Sequence, residues 1–273
     1  MLIKSHLVRP SDYMQACFFG SERNEDLPVY AVIHDTAGRS ATSTANYIAT
    51  SGRKVSYHLI VGRDGTIIQQ VPLNYVAYHA GVSQHPAKPW LKALNRCSIG
   101  IALDNPGELS RTNPYECAAW FGEKFLIGEV VKAERNGRKS WHLPYTQKQL
   151  ATLEMLIQLI DQEYDLSGVL SHHEIAPSRK VDPAPTLDPV IAALSAQVED
   201  HSEGFEFGER AIVSALGGLN LRREPHIKSD VIEVLPINAG LTVEPPVYPS
   251  GYVFVATDEG QSGYVHSNYL QGA

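Results

Sequence analysis

The 273-residue sequence has no run of about 18 apolar residues, so no part of it reads as a membrane-spanning helix. Its start, MLIKSHLVRPSDYMQ, lacks a basic segment followed by an apolar core, so no secretory signal is expected there. Cysteine is scarce: Cys17, Cys97 and Cys117 are three, odd in number and far apart. That spacing fits neither a disulfide framework nor a thiolate zinc cluster, and the expectation is buried free thiols. Basic charge is also short, with 23 Lys and Arg against 30 Asp and Glu and a net charge of −7. A chain without a basic footprint is no candidate for nucleic-acid phosphates, although polymers held by hydrogen bonds and stacking stay open. There is no internal repeat and no low-complexity tract. Synthesis in the cytoplasm is the expectation that follows.

What is present is an α/β pattern. Pro28 to His34 (PVYAVIH) reads as a short buried strand, and Thr42 to Thr50 as a helix ended by Gly52. Val55 to Val61 is a second strand, turned by Arg63-Asp64-Gly65 into Thr66 to Val71. Ser98 to Leu103 (SIGIAL) is apolar on both faces and should be central in a sheet. Thr146 and Gln149 have capping-box spacing. They open a helix whose apolar face is Leu150, Leu153, Ile157, Ile160 and Tyr164, closed by Gly168. Val169-Leu170 then leads as a strand into the next motif. Strands alternating with helices place active groups at strand ends.

The chain changes character near residue 200. DHSEGFEFGER, with two glycines, reads as a linker at 201–210. Beyond it, short β runs at Leu219–Arg222, Val231–Leu235, Leu241–Val243, Tyr252–Ala256 and Gly263–Tyr269 suggest a small all-β barrel. The length suits this division into a large domain at 1–200 and a small one at 211–273.

The chemistry concentrates in SHHEIAPSRKVDP, residues 171–183, where a histidine pair, Lys180 and Asp182 stand at fixed offsets among prolines. His34, at the end of the first strand, offers a second imidazole. Two imidazoles and one carboxylate form the ligand set of a hydrolytic zinc site that keeps a fourth position for water. His172 and His173 compete for the metal, since adjacent side chains point differently.

VIHDTAG, SYHLIVGRDGTIIQQVP, YHAG, NRCSIGIAL and SHHEIAPSRKVDP, in that order, resemble the amidase-2 type N-acetylmuramoyl-L-alanine amidases, over residues 28–190 with an insertion at 108–145. That group includes phage lysozyme-amidases and peptidoglycan recognition proteins. LNLRREPHIKSDVIEVLP and SGYVHSNYL resemble a bacterial SH3-type wall-binding domain.

The resemblance implies a mixed central sheet flanked by helices, with Zn2+ on His34, His172 and Asp182. It also implies catalytic roles for Lys180 and Tyr57, and peptidoglycan or muropeptides as substrate. The chain departs from the cytoplasmic recycling branch, which carries a glutamate after the SIGI run where this chain has Ala102. Asp104 lies on the same strand face and is a candidate substitute for it at the substrate; His79 of YHAG is a candidate groove residue. His58 falls on the opposite strand face and reads as structural. His142 reads as insertion surface, with a groove residue as the alternative, while Trp90 and Trp141 are either sugar-stacking or core residues. The implied reaction is hydrolysis of the amide between N-acetylmuramic acid and L-alanine, on the wall after release or delivery, or on recycled fragments in the cytoplasm. Two other readings compete: a non-catalytic peptidoglycan-binding protein, and a zinc hydrolase of another amide.

Overall fold

In the computed structural model, which describes residues 1–23, 29–199, 208–244 and 251–272, the chain falls into two units. The larger is Lys4–Leu153 with Gly168–Ser195; the smaller is Met1–Ile3, Glu154–Ser167 and Ala196–Ala273. The smaller unit thus takes in the second half of a helix as well as the tail. Most of the 201–210 segment read as a linker lies outside the described residues.

Two short strands, β1 (Leu2–Lys4) and β2 (Leu7–Arg9), open the chain. The main sheet contains β3 (Asp12–Tyr13), β4 (Val29–Asp35), β5 (Leu59–Val61), β6 (Ile67–Gln69), β7 (Ser98–Leu103) and β13 (Leu166–Ser171), in the order β13-β4-β7-β5-β6-β3. β7 is buried at all six positions and lies between β4 and β5, parallel to both. Its apolar run is what a parallel strand covered on both faces requires. The Asp64-Gly65 turn joins β5 to β6 as expected, with Gly65 at φ 87.

The strand expected from Val55 is regular only from Leu59. Upstream of it, Ser56 N–H donates to Tyr78 O and His58 N–H to Gly100 O, so residues 56–58 are tied to two separate segments. α1 (Ala41–Thr50) is opened by reciprocal Ser40 and Ser43 hydrogen bonds and buries Ala41, Ala45 and Ile48. The insertion forms a three-stranded sheet of β8 (Ser110–Arg111), β9 (Glu116–Ala118) and β10 (Lys124–Leu126). A hairpin of β11 (Val131–Arg135) and β12 (Arg138–His142) follows.

α2 (Gln147–Tyr164) begins with the expected capping box: Thr146 Oγ1 accepts from Gln149 N–H, and Gln149 Oε1 from Thr146 N–H. It ends at Asp165, whose φ is 51, rather than at Gly168, which lies inside β13. The single apolar face is a correction. Gln158, Asp161 and Gln162 are buried too, because within the smaller unit they bond to the tail. Gln158 Oε1 accepts Leu216 N–H, Gln162 bonds Gly218 O and Asn220 N–H, and Tyr269 hydroxyl donates to Asp161. Arg222 reaches the Gln162 carbonyl.

The tail carries β14 (Arg210–Val213), β15 (Leu219–Arg222), β16 (Val231–Leu235), β17 (Gly240–Glu244), β18 (Tyr252–Thr257), β19 (Ser262–His266) and β20 (Leu270–Gly272). They form one antiparallel sheet in the order β16-β15-β19-β18-β17-β14-β20. Alternate residues such as Leu219, Leu221, Leu241, Val243, Val253 and Val255 supply its core. Among the described residues no pairing closes this sheet into the expected barrel. Cys97 and Cys117 are buried thiols, but Cys17 is exposed, its Sγ on Ile48 O.

Candidate active site

Two strand ends meet in the larger unit. His34 is the sixth residue of β4, and His172 follows β13 directly, where α3 (His172–Ile175) is capped by Ser171 and Glu174. Open α/β sheets build sites at the carboxyl ends of their strands, and this pair obeys that rule. Asp182 arrives on the loop after α3. His34 Nδ1 lies 2.9 Å from His172 Nδ1 and 3.5 Å from Asp182 Oδ2, and His172 Nδ1 is 2.9 Å from the same oxygen. Among the described residues this is the one cluster of histidine, cysteine and carboxylate side chains able to hold a metal ion. His34 and His172 are buried, and the Asp182 side chain is 20% exposed.

His173 is not part of the cluster. Its N–H donates to Asp182 O and its Nδ1 bonds Lys180 O, so it braces the loop from behind. Three residues, Arg135, Ala184 and Arg179, hold that loop further. Arg135 of β11 donates to Val181 O at 2.8 Å and Pro183 O at 3.0 Å, the carbonyls on either side of Asp182. The same guanidinium pairs with Asp188. Ala184 N–H donates to Asp35 Oδ2 and to Tyr145 hydroxyl, which itself donates to Asp35 Oδ1 at 2.6 Å. Arg179 binds the carbonyls of Ala80 and Val82. Neither Arg135 nor Tyr145 stood out in the sequence, because both lie in the insertion and reach the site only through the fold.

Burial and its neighbour His172 hold His34 down at about 4, so it is a neutral base near pH 7. Burial acts to raise the Asp182 carboxyl, but the imidazoles of His172 and His34 beside it outweigh it and keep it far below the usual range. Burial pushes Asp35 up to about 8, opposed by the Tyr145 hydrogen bond. The ring of Tyr57 lies 5.2 Å from that of His34, and burial raises its phenol, so it stays a donor. Lys180 is half-buried, two residues before Asp182.

His79 and Asp104 sit differently from their expected place at the substrate. His79 is only 6% exposed, and both of its ring nitrogens are engaged, one by His34 Nε2 at 2.9 Å. Asp104 is buried, and its carboxylate accepts the Ala41 N–H at the start of α1. Ala102 pairs in register with His34, so its methyl faces the side where the recycling branch carries a glutamate.

His58 is structural as read: Nδ1 accepts Gly100 N–H and Nε2 meets Tyr75 O. His142, read as surface, is instead buried against Ser140 Oγ at 2.7 Å, because its strand turns that face inward. Trp90 is exposed, and Trp141 packs in the insertion core. Trp120 went unnoticed in the sequence; its indole donates to Ala37 O, three residues past His34, and it is 78% exposed.

The sequence pattern of the family described as N-acetylmuramoyl-L-alanine amidase matches residues 24–185, more than half of the chain. The chain is 31% identical over 136 residues to 1,6-anhydro-N-acetylmuramyl-L-alanine amidase AmpD of Escherichia coli K12, covering 50% of this chain and 55% of that protein. Identity to the Haemophilus influenzae protein of the same name is 26% over 135 residues, with 50% and 55% covered. The chain thus spans little more than half the length of these relatives. A solved selenomethionine AmpD derivative aligns over 71% of this chain and 99% of its own, at 24% identity and a TM-score of 0.49. The Escherichia coli amidase AmiD, solved with anhydro-N-acetylmuramic acid-L-Ala-D-γ-Glu-L-Lys, aligns over 63% and 58% at 26% identity and a TM-score of 0.45.

Proposed function

The chain belongs to the N-acetylmuramoyl-L-alanine amidase family, and from that membership we propose that it hydrolyses the amide between N-acetylmuramic acid and L-alanine, using Zn2+ held by His34, His172 and Asp182. The observation that carries the reading is the convergence of those three donors. Their separations of 2.9, 2.9 and 3.5 Å bracket the edge of about 3.3 Å that a tetrahedral zinc with bonds near 2.0–2.1 Å requires. Three lone-pair atoms so close share at most a proton in the metal-free protein. A cation answers that crowding better than any proton arrangement. Bound there, zinc supplies Lewis acidity toward the amide carbonyl and water.

This chain's own groups do the rest. Lys180 stabilises negative charge as it develops on the amide oxygen, an effect worth about 3 kcal/mol when such a donor is preorganised. Tyr57, kept protonated by burial, donates a hydrogen bond to the attacking water or to the tetrahedral oxygen. Asp35, Tyr145 and Arg135 keep Asp182 in place.

The domain assignment accompanies this reading: a catalytic domain at 1–200, a linker at 201–210, and an SH3-like wall-binding domain at 211–273. The antiparallel tail sheet with its alternating core supports it. The polymeric wall, reached after the protein is released or delivered, is then the substrate. A second reading, soluble anhydro-muropeptides, is favoured by the relatives named 1,6-anhydro-N-acetylmuramyl-L-alanine amidases.

Digestion of purified sacculi and of an anhydro-muropeptide, with and without a chelator, followed by mass spectrometry, tests both. Free stem peptides with an L-alanine amino terminus, lost on chelation and restored by zinc, are expected. Intact linkages on both substrates would defeat the proposal, and cleavage of the soluble fragment alone would favour the second reading.

A further inference from the structure

We propose that His79, with Ser98 and Gly100, is a positioning device that locks the His34 imidazole in its Nε2–H tautomer and so presents the Nδ1 lone pair to the Asp182–His172 cluster. The inference deepens the metal reading given above and rests on His34 being a ligand.

The proton inventory can be followed bond by bond. Ser98 Oγ lies 2.6 Å from Leu94 O and 3.3 Å from His79 Nε2. Two oxygens at 2.6 Å need a proton between them, and only the serine hydroxyl supplies one. Ser98 therefore has only lone pairs left for His79, and His79 carries its proton on Nε2. Its Nδ1 is then an acceptor, 2.9 Å from His34 Nε2. His34 must donate there, which leaves its Nδ1 unprotonated on the side of His172 and Asp182. The opposite order would place a proton on His34 Nδ1, inside the cluster, where it would block a cation. Partners at the remote nitrogen of a ligating histidine commonly fix its tautomer and ring orientation in this way.

The surroundings hold the relay in place. A Cβ at residue 100 would come within 2.4 Å of His79 Cγ and 2.7 Å of its Nδ1, so glycine lets the ring lie flat on β7. Asn95 Oδ1 accepts both His79 N–H at 3.1 Å and Ala80 N–H at 2.7 Å, fixing the backbone beneath. His58, which also meets Gly100, has both nitrogens on backbone groups and takes no part in the relay.

Two readouts test the device. Long-range 15N NMR of the metal-free wild-type protein should show His34 and His79 both protonated on Nε2. Zinc affinity, measured by competition with a chromogenic chelator, should fall about 10–100-fold in His79→Leu. His79→Asn, whose Oδ1 can take the place of Nδ1 as acceptor, should recover most of it. Gly100→Ala should shift the His34 signals as His79→Leu does. A wild-type His34 protonated on Nδ1 would overturn the proposal, as would unchanged affinity in His79→Leu or no recovery in His79→Asn. Should the variants fail to fold, the wild-type tautomer measurement still decides. A wild-type protein that shows the Nε2–H pattern yet takes up no zinc would sink the metal reading while the relay stands.

Discussion

Arg135 links the insertion to the loop that carries Asp182, and its removal is the perturbation whose size can be worked from contacts. Its guanidinium makes hydrogen bonds to Val181 O, Pro183 O and Asp188, and the Arg135 side chain is 13% exposed against 43% for Asp188. The contact to Pro183 O is partly buried and that to Val181 O is exposed, and a hydrogen bond to a charged group contributes about 1.5–3 kcal/mol when buried. The Asp188 partner is well exposed and adds little. Arg135→Met keeps the apolar stem and deletes the head, leaving two carbonyls beside Asp182 without their donor. A cost of about 1.5–3 kcal/mol follows, chiefly from the Pro183 contact and directed at the Asp182 loop. Because Asp182 loses its outer support, zinc affinity should also fall by about 10–100-fold. The assay is paired: thermal unfolding without metal, and chelator competition for zinc. Arg135→Lys should recover one carbonyl contact and part of the affinity. A variant of lowered stability but unchanged zinc affinity would refute the reasoning, since the clamp would then serve folding alone.

Asp182→Ala should abolish both zinc retention and amide cleavage; full activity in chelator-washed mutant protein would defeat the assigned ligand set. Burial raises Asp161 to about 7, opposed by Tyr269 and Leu166, against about 3.9 for an unfolded aspartate. The folded state therefore keeps a proton that the unfolded chain has released, and this group's stabilisation is lost as pH rises from about 4 to about 7. Asp161→Asn should flatten that part of the denaturant midpoint–pH profile, and parallel profiles for the two proteins would count against it. Deleting residues after 207 should strip the partners of Gln158, Asp161 and Gln162, lowering solubility and the unfolding temperature as well as sacculus binding. A truncated protein as stable as the full chain would contradict the packing seen in the smaller unit.

Local patterns were legible in the sequence wherever one short segment carries its own signal. The all-apolar SIGIAL run announced a strand covered on both faces, Asp64-Gly65 a hairpin, and Thr146 with Gln149 a helix start. The order of the motifs around His34 and residues 171–183 pointed to the site, since His34 and His172 stand at recognisable strand ends. The resemblance points to His172 of the adjacent pair, but only the tertiary structure shows why: α3 sends His172 to the cluster and His173 to the loop behind it. It also decided that His79 faces His34 rather than solvent, and that polar residues of α2 are buried under the tail. The physical reason is common to these cases. Periodicity and capping depend on neighbours within a few residues, whereas Arg135 with Val181 and His34 with His79 are hydrogen bonds across 46 and 45 residues. Nothing in either segment alone records such a partner.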